Sequence, residues 1–107
     1  MQVNFGDNLT LDAKSAAGIV NAIGELTEGK KALILNIAGK QTSANPDARQ
    51  FSASAEGNRF TIADAFVVNG LAQKLIANFY INFHKPIVTT KIFNDVNLAT
   101  EWLKNQL

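Results

Sequence analysis

ALILNI at Ala32–Ile37 is a continuous apolar run, and it predicts a strand buried on both faces, as in a sheet covered by helices. Further strands are predicted within Phe60–Val68 and Ile87–Phe93, and Gln2–Phe5 alternates polar and apolar residues like a short edge strand. The strand starts near 32, 60 and 86 are spaced like strand–helix crossover units. Right-handed crossovers would place helices on the sheet faces. The sequence therefore predicts a small α/β domain with a mostly parallel or mixed sheet of four or five strands.

About four helices are predicted to pack on this sheet. The first is expected to be capped by Thr10 and to end at Gly29 in the left-handed conformation. Asn45–Asp47 starts the second with a cap residue, a helix-initiating proline and an acid. Asn69 is expected to cap the third, and Asn94–Asp95 to start the fourth. Helical spacing predicts the inner faces to be Ala16, Ile19, Val20, Ile23 and Leu26; Ala48, Phe51 and Ala55; Leu71, Ala72, Leu75, Ile76 and Phe79; and Leu98, Ala99, Trp102 and Leu103.

The composition excludes several classes of function. A chain of 107 residues with 47% hydrophobic and 18% charged residues is expected to form one globular domain. Ten basic against nine acidic side chains argue against a nucleic-acid clamp or a polybasic membrane anchor. Because there is no cysteine and one histidine, disulfides, thiolate metal sites and two-histidine metal sites are excluded within one chain. No cofactor or metal is expected.

The apolar stretches also bear on location. The first residues lack the basic segment and the long apolar stretch of a secretory signal. No apolar stretch approaches the roughly 20 residues that a membrane-spanning helix needs. A cytoplasmic location without a membrane span is therefore expected.

Three short motifs follow one another in a characteristic order: ARQF at 48–51, NFYINFHKP at 78–86, and KIFND at 91–95 with Ala99 and Trp102-Leu103 behind it. In order and spacing they resemble a bacterial STAS-like domain family of unknown function, over roughly residues 30–107. The chain departs from that pattern at Ala77, where the family usually has glycine, and at Phe83-His84, where asparagine is common before Lys-Pro.

The resemblance implies a fold similar to that of the sporulation anti-sigma-factor antagonists, a mixed sheet with helices packed against it. Those antagonists carry an Asp-Ser pair where a strand meets the next helix, and a partner kinase phosphorylates the serine. The matching stretch here ends at Ala44–Pro46 and has no serine at that place, because Thr42 and Ser43 precede it. A phosphorylation switch of that kind is not expected.

The loop after Ala32–Ile37 resembles a phosphate-binding loop only in part. Gly39–Thr42 lacks the glycine that should precede it and the hydroxyl residue directly after lysine, so nucleotide hydrolysis is not expected. A weaker anion site remains an alternative, because a helix that starts at Pro46 would point free N–H groups at the loop. Its residues would be Gly39, Lys40, Thr42, Ser43 and Asn45.

His84 and Asp64 are the two candidate ionisable centres in the sequence. His84 has no nucleophile motif near it, and its place before Lys85-Pro86 predicts an exposed loop residue, so no enzyme activity is expected. Asp64 lies in an otherwise apolar strand. It is either buried beside a cation such as Arg49 or Lys91, or it faces solvent, and general burial preferences favour solvent.

The binding candidates lie on the second and third helices. Arg49 stands near a helix start, which is unfavourable for a cation unless it reaches a carboxylate, a partner or an anion. Asn78 and Lys85 come next, each with a structural alternative: backbone capping for the asparagine and simple solvation for the lysine. Tyr80 and Phe83 fall off the main apolar stripe and predict an exposed apolar patch.

Phe79 and Trp102 are predicted to lie in the core. The leading hypothesis is a non-enzymatic module that acts through a protein partner or as a homodimer, on the side of the third helix. The alternative is a small-molecule module for a lipid or an anionic metabolite, with Arg49 and the loop 39–45 at the anionic end. STAS-like folds resemble the lipid-carrying CRAL-TRIO domains, which motivates this alternative.

Overall fold

The computed structural model describes residues 1–107, and a four-stranded parallel sheet forms its centre. The strands are β1 (Gln2–Asn4), β2 (Thr10–Leu11), β3 (Ala32–Ile37), β4 (Ser43–Ala44), β5 (Thr61–Val67) and β6 (Thr89–Phe93). The helices are α1 (Ala13–Leu26), α2 (Pro46–Ala53), α3 (Gly70–Phe79) and α4 (Val96–Lys104), and a π-helical turn, Tyr80–His84, continues α3. The predicted α/β fold is confirmed.

The strand order in the sheet is β1-β3-β5-β6, and β2 and β4 form a separate parallel pair. Each crossover adds its strand on the same side of the previous one, so right-handed connections place α1, α2 and α3 on one face. α4 follows the last strand and packs on the opposite face, against β5 and β3. No helix of the chain is both long and apolar enough to cross a bilayer.

The face under α4 holds the apolar core of the protein. Alternate residues of β3 and β5 point towards α4. The small side chains of Ala63 and Ala65 in β5 let α4 lie close to the sheet. Trp102 of α4 packs against Phe93 with ring centroids 5.7 Å apart. The buried cluster consists of Leu35, Ala63, Ala65, Val67, Ala99 and Leu103.

The helix starts agree with the sequence predictions at α2 and α4 and differ at α1. Asn45 caps α2, and its side chain accepts a hydrogen bond of 2.9 Å from the Ala48 N–H. Asp95 caps α4 in the same way. The prediction of Thr10 as the cap of α1 is wrong: Thr10 pairs with Ser43 in the small sheet, and Asp12 is the cap.

Three predicted inner positions are exposed because their helices end early or turn them outward. Ala55 lies beyond the end of α2, Leu26 lies at the last residue of α1, and Leu98 faces solvent from α4. Gly29 does adopt a positive φ of 77°, as predicted, although α1 already ends before it.

The largest difference from the sequence prediction is the orientation of α3. The predicted inner face of this helix, including Phe79, is exposed, and none of the helix residues is buried. Gln73 faces inward instead, where its amide nitrogen donates to the carbonyl oxygens of Gly39 (2.8 Å) and Thr42 (3.1 Å) and its amide oxygen accepts from the Asn69 N–H (2.7 Å). These three hydrogen bonds fix the start of α3 with its apolar side outward.

Candidate functional site

A cavity of about 200 Å³ lies between the sheet and the three helices α1, α2 and α3. Its volume falls between that of a cavity that holds a benzene molecule, about 150 Å³, and the smallest drug-sized pockets, about 300 Å³. Its apolar wall comes from α1, from the sheet and from α3: Ile19, Val20, Ile23, Ile34, Phe66 and Ile76. Such a space accepts the body of a small apolar molecule.

Asp64 lies at the cavity from the middle of β5, a strand paired on both sides. It is 8% exposed, and its hydrogen-bond partner is Asn36 on β3, whose amide nitrogen donates to Oδ1 at 3.1 Å. The expectation of a solvent-facing residue is wrong, because strand alternation turns Asp64 to the helix-covered face. No cation compensates the carboxyl, so burial raises its pKa to about 6.

Tyr80 borders the same cavity from the π-helical turn. Its ring is buried, edge-on to Phe66 at 6.0 Å, so the prediction of Tyr80 in an exposed patch is wrong. The π-helical turn directs this position inward, whereas the preceding residue, Phe79, is exposed. Burial raises the pKa of the Tyr80 hydroxyl, and the negative charge of Asp64 raises it further, so the hydroxyl stays protonated.

Hydrogen-bond acceptors are in excess at this polar end of the cavity. The Asn36 amide nitrogen donates one hydrogen bond to Asp64 and a second, at 3.3 Å, to the Ala65 carbonyl oxygen. These two hydrogen bonds use both hydrogens of the Asn36 amide group. What remains at Asn36 is its amide oxygen, an acceptor. The carboxyl of Asp64 adds further lone pairs, and only one hydrogen bond from the protein reaches it.

Arg49 lines the cavity from the first turn of α2. Its Nη1 donates to the Ala44 carbonyl oxygen at 2.6 Å, and its guanidinium carbon lies 5.8 Å from the ring centroid of Phe79. Its Nε is buried without a hydrogen-bond partner. Arg49 forms no ion pair with Asp64, the contact that the sequence offered as an alternative for a buried Asp64.

His84 ends the π-helical turn and is half-buried, which corrects the expectation of an exposed loop residue. The rings of Phe79, Tyr80 and Phe83 surround its imidazole with centroid distances of 5.0 to 5.9 Å. Its Nδ1 has no hydrogen-bond partner. Burial and the nearby Arg49 lower the pKa of His84, so the ring is neutral at pH 7.

The predicted anion loop is closed by the chain itself. The Lys40 N–H donates to the Asp7 carboxylate at 2.8 Å, and the Ser43 and Asn45 N–H groups donate to carbonyl oxygens beside β2. The Thr42 hydroxyl donates to the Gly6 carbonyl oxygen, and Gly39 packs against the same backbone. An acid and three backbone carbonyls of the N-terminal segment therefore accept hydrogen bonds from these four donors, which are not free to bind an anion.

The other predicted binding residues lie on the outside of α3 and of the turn that follows it. Asn78 is exposed and caps no backbone group, and Lys85 is exposed with a φ of 50°. Phe83 is exposed, and its ring stacks on Phe79 at 4.9 Å with an interplanar angle of 12°. Of the five predicted binding residues, the structure therefore places Arg49 and Tyr80 at the cavity and Asn78, Phe83 and Lys85 outside it.

Asn36 is the site residue that the sequence analysis missed. The available signal was a polar residue inside each of two neighbouring apolar strands, Asn36 in β3 and Asp64 in β5. Parallel pairing places Asn36 opposite Phe66 and Asp64 opposite Ile34, so the two polar residues are diagonal neighbours on one face. No cluster of three or more histidine or acidic side chains that could hold a metal occurs in the chain.

These features define the class of protein: a small α/β domain with a cavity between its sheet and three of its helices. Residues 1–107 match the model of a family described as a domain of unknown function (DUF7793), and the chain belongs to that family. No curated protein and no solved structure matches the chain.

Proposed function

We propose that the protein is a non-enzymatic, STAS-like interaction module that associates with a second copy of itself through the outer face of α3. The observation that carries this proposal is the α3 stripe, defined as Leu71, Leu75, Phe79 and Phe83, four large apolar residues that are 47% to 72% exposed. A helix whose apolar side faces water lacks the packing that normally stabilises it.

The area of the α3 stripe fits a dimer contact. Its four large side chains form a continuous exposed apolar patch, and large patches of this kind on monomers are often functional. A standard interface buries about 800 Å² on each partner, and its centre is the apolar part. The α3 stripe with a narrow polar rim would supply one such side.

The arrangement of the α3 stripe also suits a two-fold contact. Leu71, Leu75, Phe79 and Phe83 follow one another at intervals of four residues, along one side of the helix. Two such helices packed antiparallel would set Leu71 against Phe83 and Leu75 against Phe79 of the other copy. An isologous contact of this kind covers every residue of the α3 stripe on both copies.

The test is the oligomeric state of the Leu75→Glu variant. We expect the unchanged protein to be a dimer in sedimentation equilibrium. We expect Leu75→Glu to weaken the dimer at least roughly 100-fold, because it would bury an unpaired carboxylate. Leu98→Glu on α4 is the matched control, since Leu98 is 59% and Leu75 60% exposed. A monomeric unchanged protein, or a dimer that only Leu98→Glu dissociates, would contradict the proposal.

Small-molecule binding is the second candidate function, and the cavity beneath α3 favours it. The space is lined by apolar side chains and ends in a few polar groups, as ligand sites commonly are. We expect native mass spectrometry of the protein, purified from cells, to show an added mass that disappears on denaturation. The same spectrum gives the subunit count, so the two candidates are read separately. A spectrum with no added mass at any ligand-preserving voltage would count against the second candidate.

A further inference from the structure

We infer that the cavity beneath α3 binds a small apolar molecule that carries a primary ammonium group, with the ammonium seated against Asp64, Asn36 and Tyr80. This inference goes beyond self-association and rests on the second candidate function, small-molecule binding. It concerns the chemical class of the ligand and predicts a cation at the Asp64 end of the cavity, whereas the sequence predicts a lipid or an anionic metabolite with its anionic end at Arg49 and the loop 39–45.

The charge of Asp64 is not balanced by a cation at the polar end of the cavity. Asp64 is more than nine-tenths buried, it lines the cavity, and a neutral amide is its hydrogen-bond partner. Buried carboxylates in proteins are normally paired with a cation or a metal ion. In this protein no cationic side chain pairs with Asp64, and the cavity leaves room for a ligand that carries the cation.

The polar end of the cavity offers three hydrogen-bond acceptors to a ligand. The free carboxyl oxygen of Asp64, the amide oxygen of Asn36 and the hydroxyl oxygen of Tyr80 can each accept a hydrogen bond. An ammonium group donates three hydrogen bonds and accepts none, so it matches this set. A hydroxyl group donates one, and a carboxylate would add acceptors and a second negative charge beside Asp64.

No cationic side chain of the protein pairs with Asp64 in place of a ligand. Apart from Asp64, the ionisable side chains that line the cavity are Tyr80 from the π-helical turn and Arg49 from α2. The residues that α1, α3 and β6 contribute to the lining carry no charge. Arg49 donates to the Ala44 carbonyl oxygen and forms no ion pair with Asp64. Tyr80 stays neutral, and Asp64 is largely ionised at pH 7.5.

The volume of the cavity limits the size of the ligand. The apolar wall of Ile19, Ile23 and Ile34 surrounds a volume of about 200 Å³, which suits a ligand somewhat larger than benzene. We therefore choose three probes with the same six-carbon body and different heads: hexylamine, 1-hexanol and hexanoate. The body tests the apolar wall, and the comparison of heads tests Asp64.

The experiment is a titration of the full chain with each probe, followed by backbone amide NMR at pH 7.5. We expect hexylamine to shift the amides around the cavity and to bind at least about tenfold more tightly than the other two probes, because a charge-assisted hydrogen bond is stronger than a neutral one. Asp64→Asn should weaken hexylamine binding by a similar factor and leave hexanol within about twofold. Asp47→Asn removes the same charge at an exposed site and should change neither.

A second measurement on the unchanged protein does not depend on any variant. Because the ammonium binds the ionised carboxyl, we expect the affinity for hexylamine to fall about tenfold for each pH unit below 6. Equal affinities for hexylamine and hexanol, or tighter binding of hexanoate, would overturn the ammonium assignment and leave small-molecule binding standing. Binding of none of the three probes would overturn both.

Discussion

Asp64→Asn should raise the free energy of unfolding at pH 7 by roughly 2 to 3 kcal/mol. This is the free-energy cost that corresponds to a carboxyl pKa raised on folding from an ordinary value of about 3.9 to about 6. Most single substitutions in a buried strand destabilise a protein, so a gain of this size would be unusual. Its physical reason is the carboxyl itself, which must be ionised at pH 7 without a cation beside it. Asparagine has nearly the same shape, and its oxygen still accepts the hydrogen bond from Asn36.

The pH dependence gives the sign of this effect. The folded-state pKa of Asp64 lies above the unfolded-state value, so the folded protein binds the additional proton between about pH 4 and 6. The stabilisation from this group is complete below the unfolded-state pKa, and it is lost as the pH rises through the folded-state pKa. The advantage of Asp64→Asn should therefore be largest above pH 7 and shrink to less than about 1 kcal/mol at pH 4.

Urea unfolding of the variant and of the unchanged protein across this pH range measures the effect. Taking the difference between the two proteins cancels the contributions of groups such as His84, whose lowered pKa acts in the opposite direction. Asp47→Asn serves as the control for a lost surface charge and should change the free energy of unfolding by less than about 1 kcal/mol. A pH-independent difference for Asp64→Asn would show that folding does not raise the pKa of this carboxyl.

A carboxyl that costs stability at neutral pH is informative about function. Proteins keep destabilising groups chiefly where activity needs them. Asp64→Asn is expected to stabilise the fold and to abolish the preference for an ammonium probe. These opposite effects would separate a binding residue from a structural one, because a purely structural residue would not lose a ligand while the protein gains stability.

The four strands of the central sheet and the starts of α2 and α4 could be predicted from the sequence because local rules govern them, whereas β2 and β4 were not predicted. The apolar run of β3 was located to the residue, and Asn45–Asp47 marked the start of α2 through capping and the fixed φ of proline. Thr10 was misassigned as a cap because its pairing partner, Ser43, is distant in sequence. Long-range pairing leaves no signal in a local window.

The orientation of α3 could not be predicted for a related reason. Helical spacing identifies an apolar side, and the usual rule turns that side to the core. In this helix the inward side is fixed by Gln73, which satisfies two carbonyl oxygens of the loop 39–42. Asp64 shows the same limit, since burial preferences place a single carboxyl in solvent and only the strand register brings it beside Asn36.

Gly57→Ala should destabilise the protein by about 3 kcal/mol or more, the upper range for overpacking a rigid site. Gly57 is buried just beyond the end of α2, where the chain turns back under the helix. A Cβ atom at this position would collide with the carbonyl oxygen of Phe51 and press on the Cα of Ser52, which are both backbone atoms. Backbone atoms cannot swing aside as the tip of a flexible side chain can, so the end of α2 would have to move.

The same substitution at Gly18 should have the opposite sign. Gly18 is exposed in the middle of α1, and a Cβ atom there would meet nothing within 4 Å. Alanine favours the helix over glycine by about 1 kcal/mol, so Gly18→Ala should raise the melting temperature by several degrees. Thermal unfolding of both variants measures the contrast, and we expect Gly57→Ala to lower the melting temperature by at least roughly 10 °C. A neutral Gly57→Ala would mean that the turn after α2 is looser than the contact with Phe51 implies. The lower wall of the cavity, to which Gly57 contributes, would then be free to open.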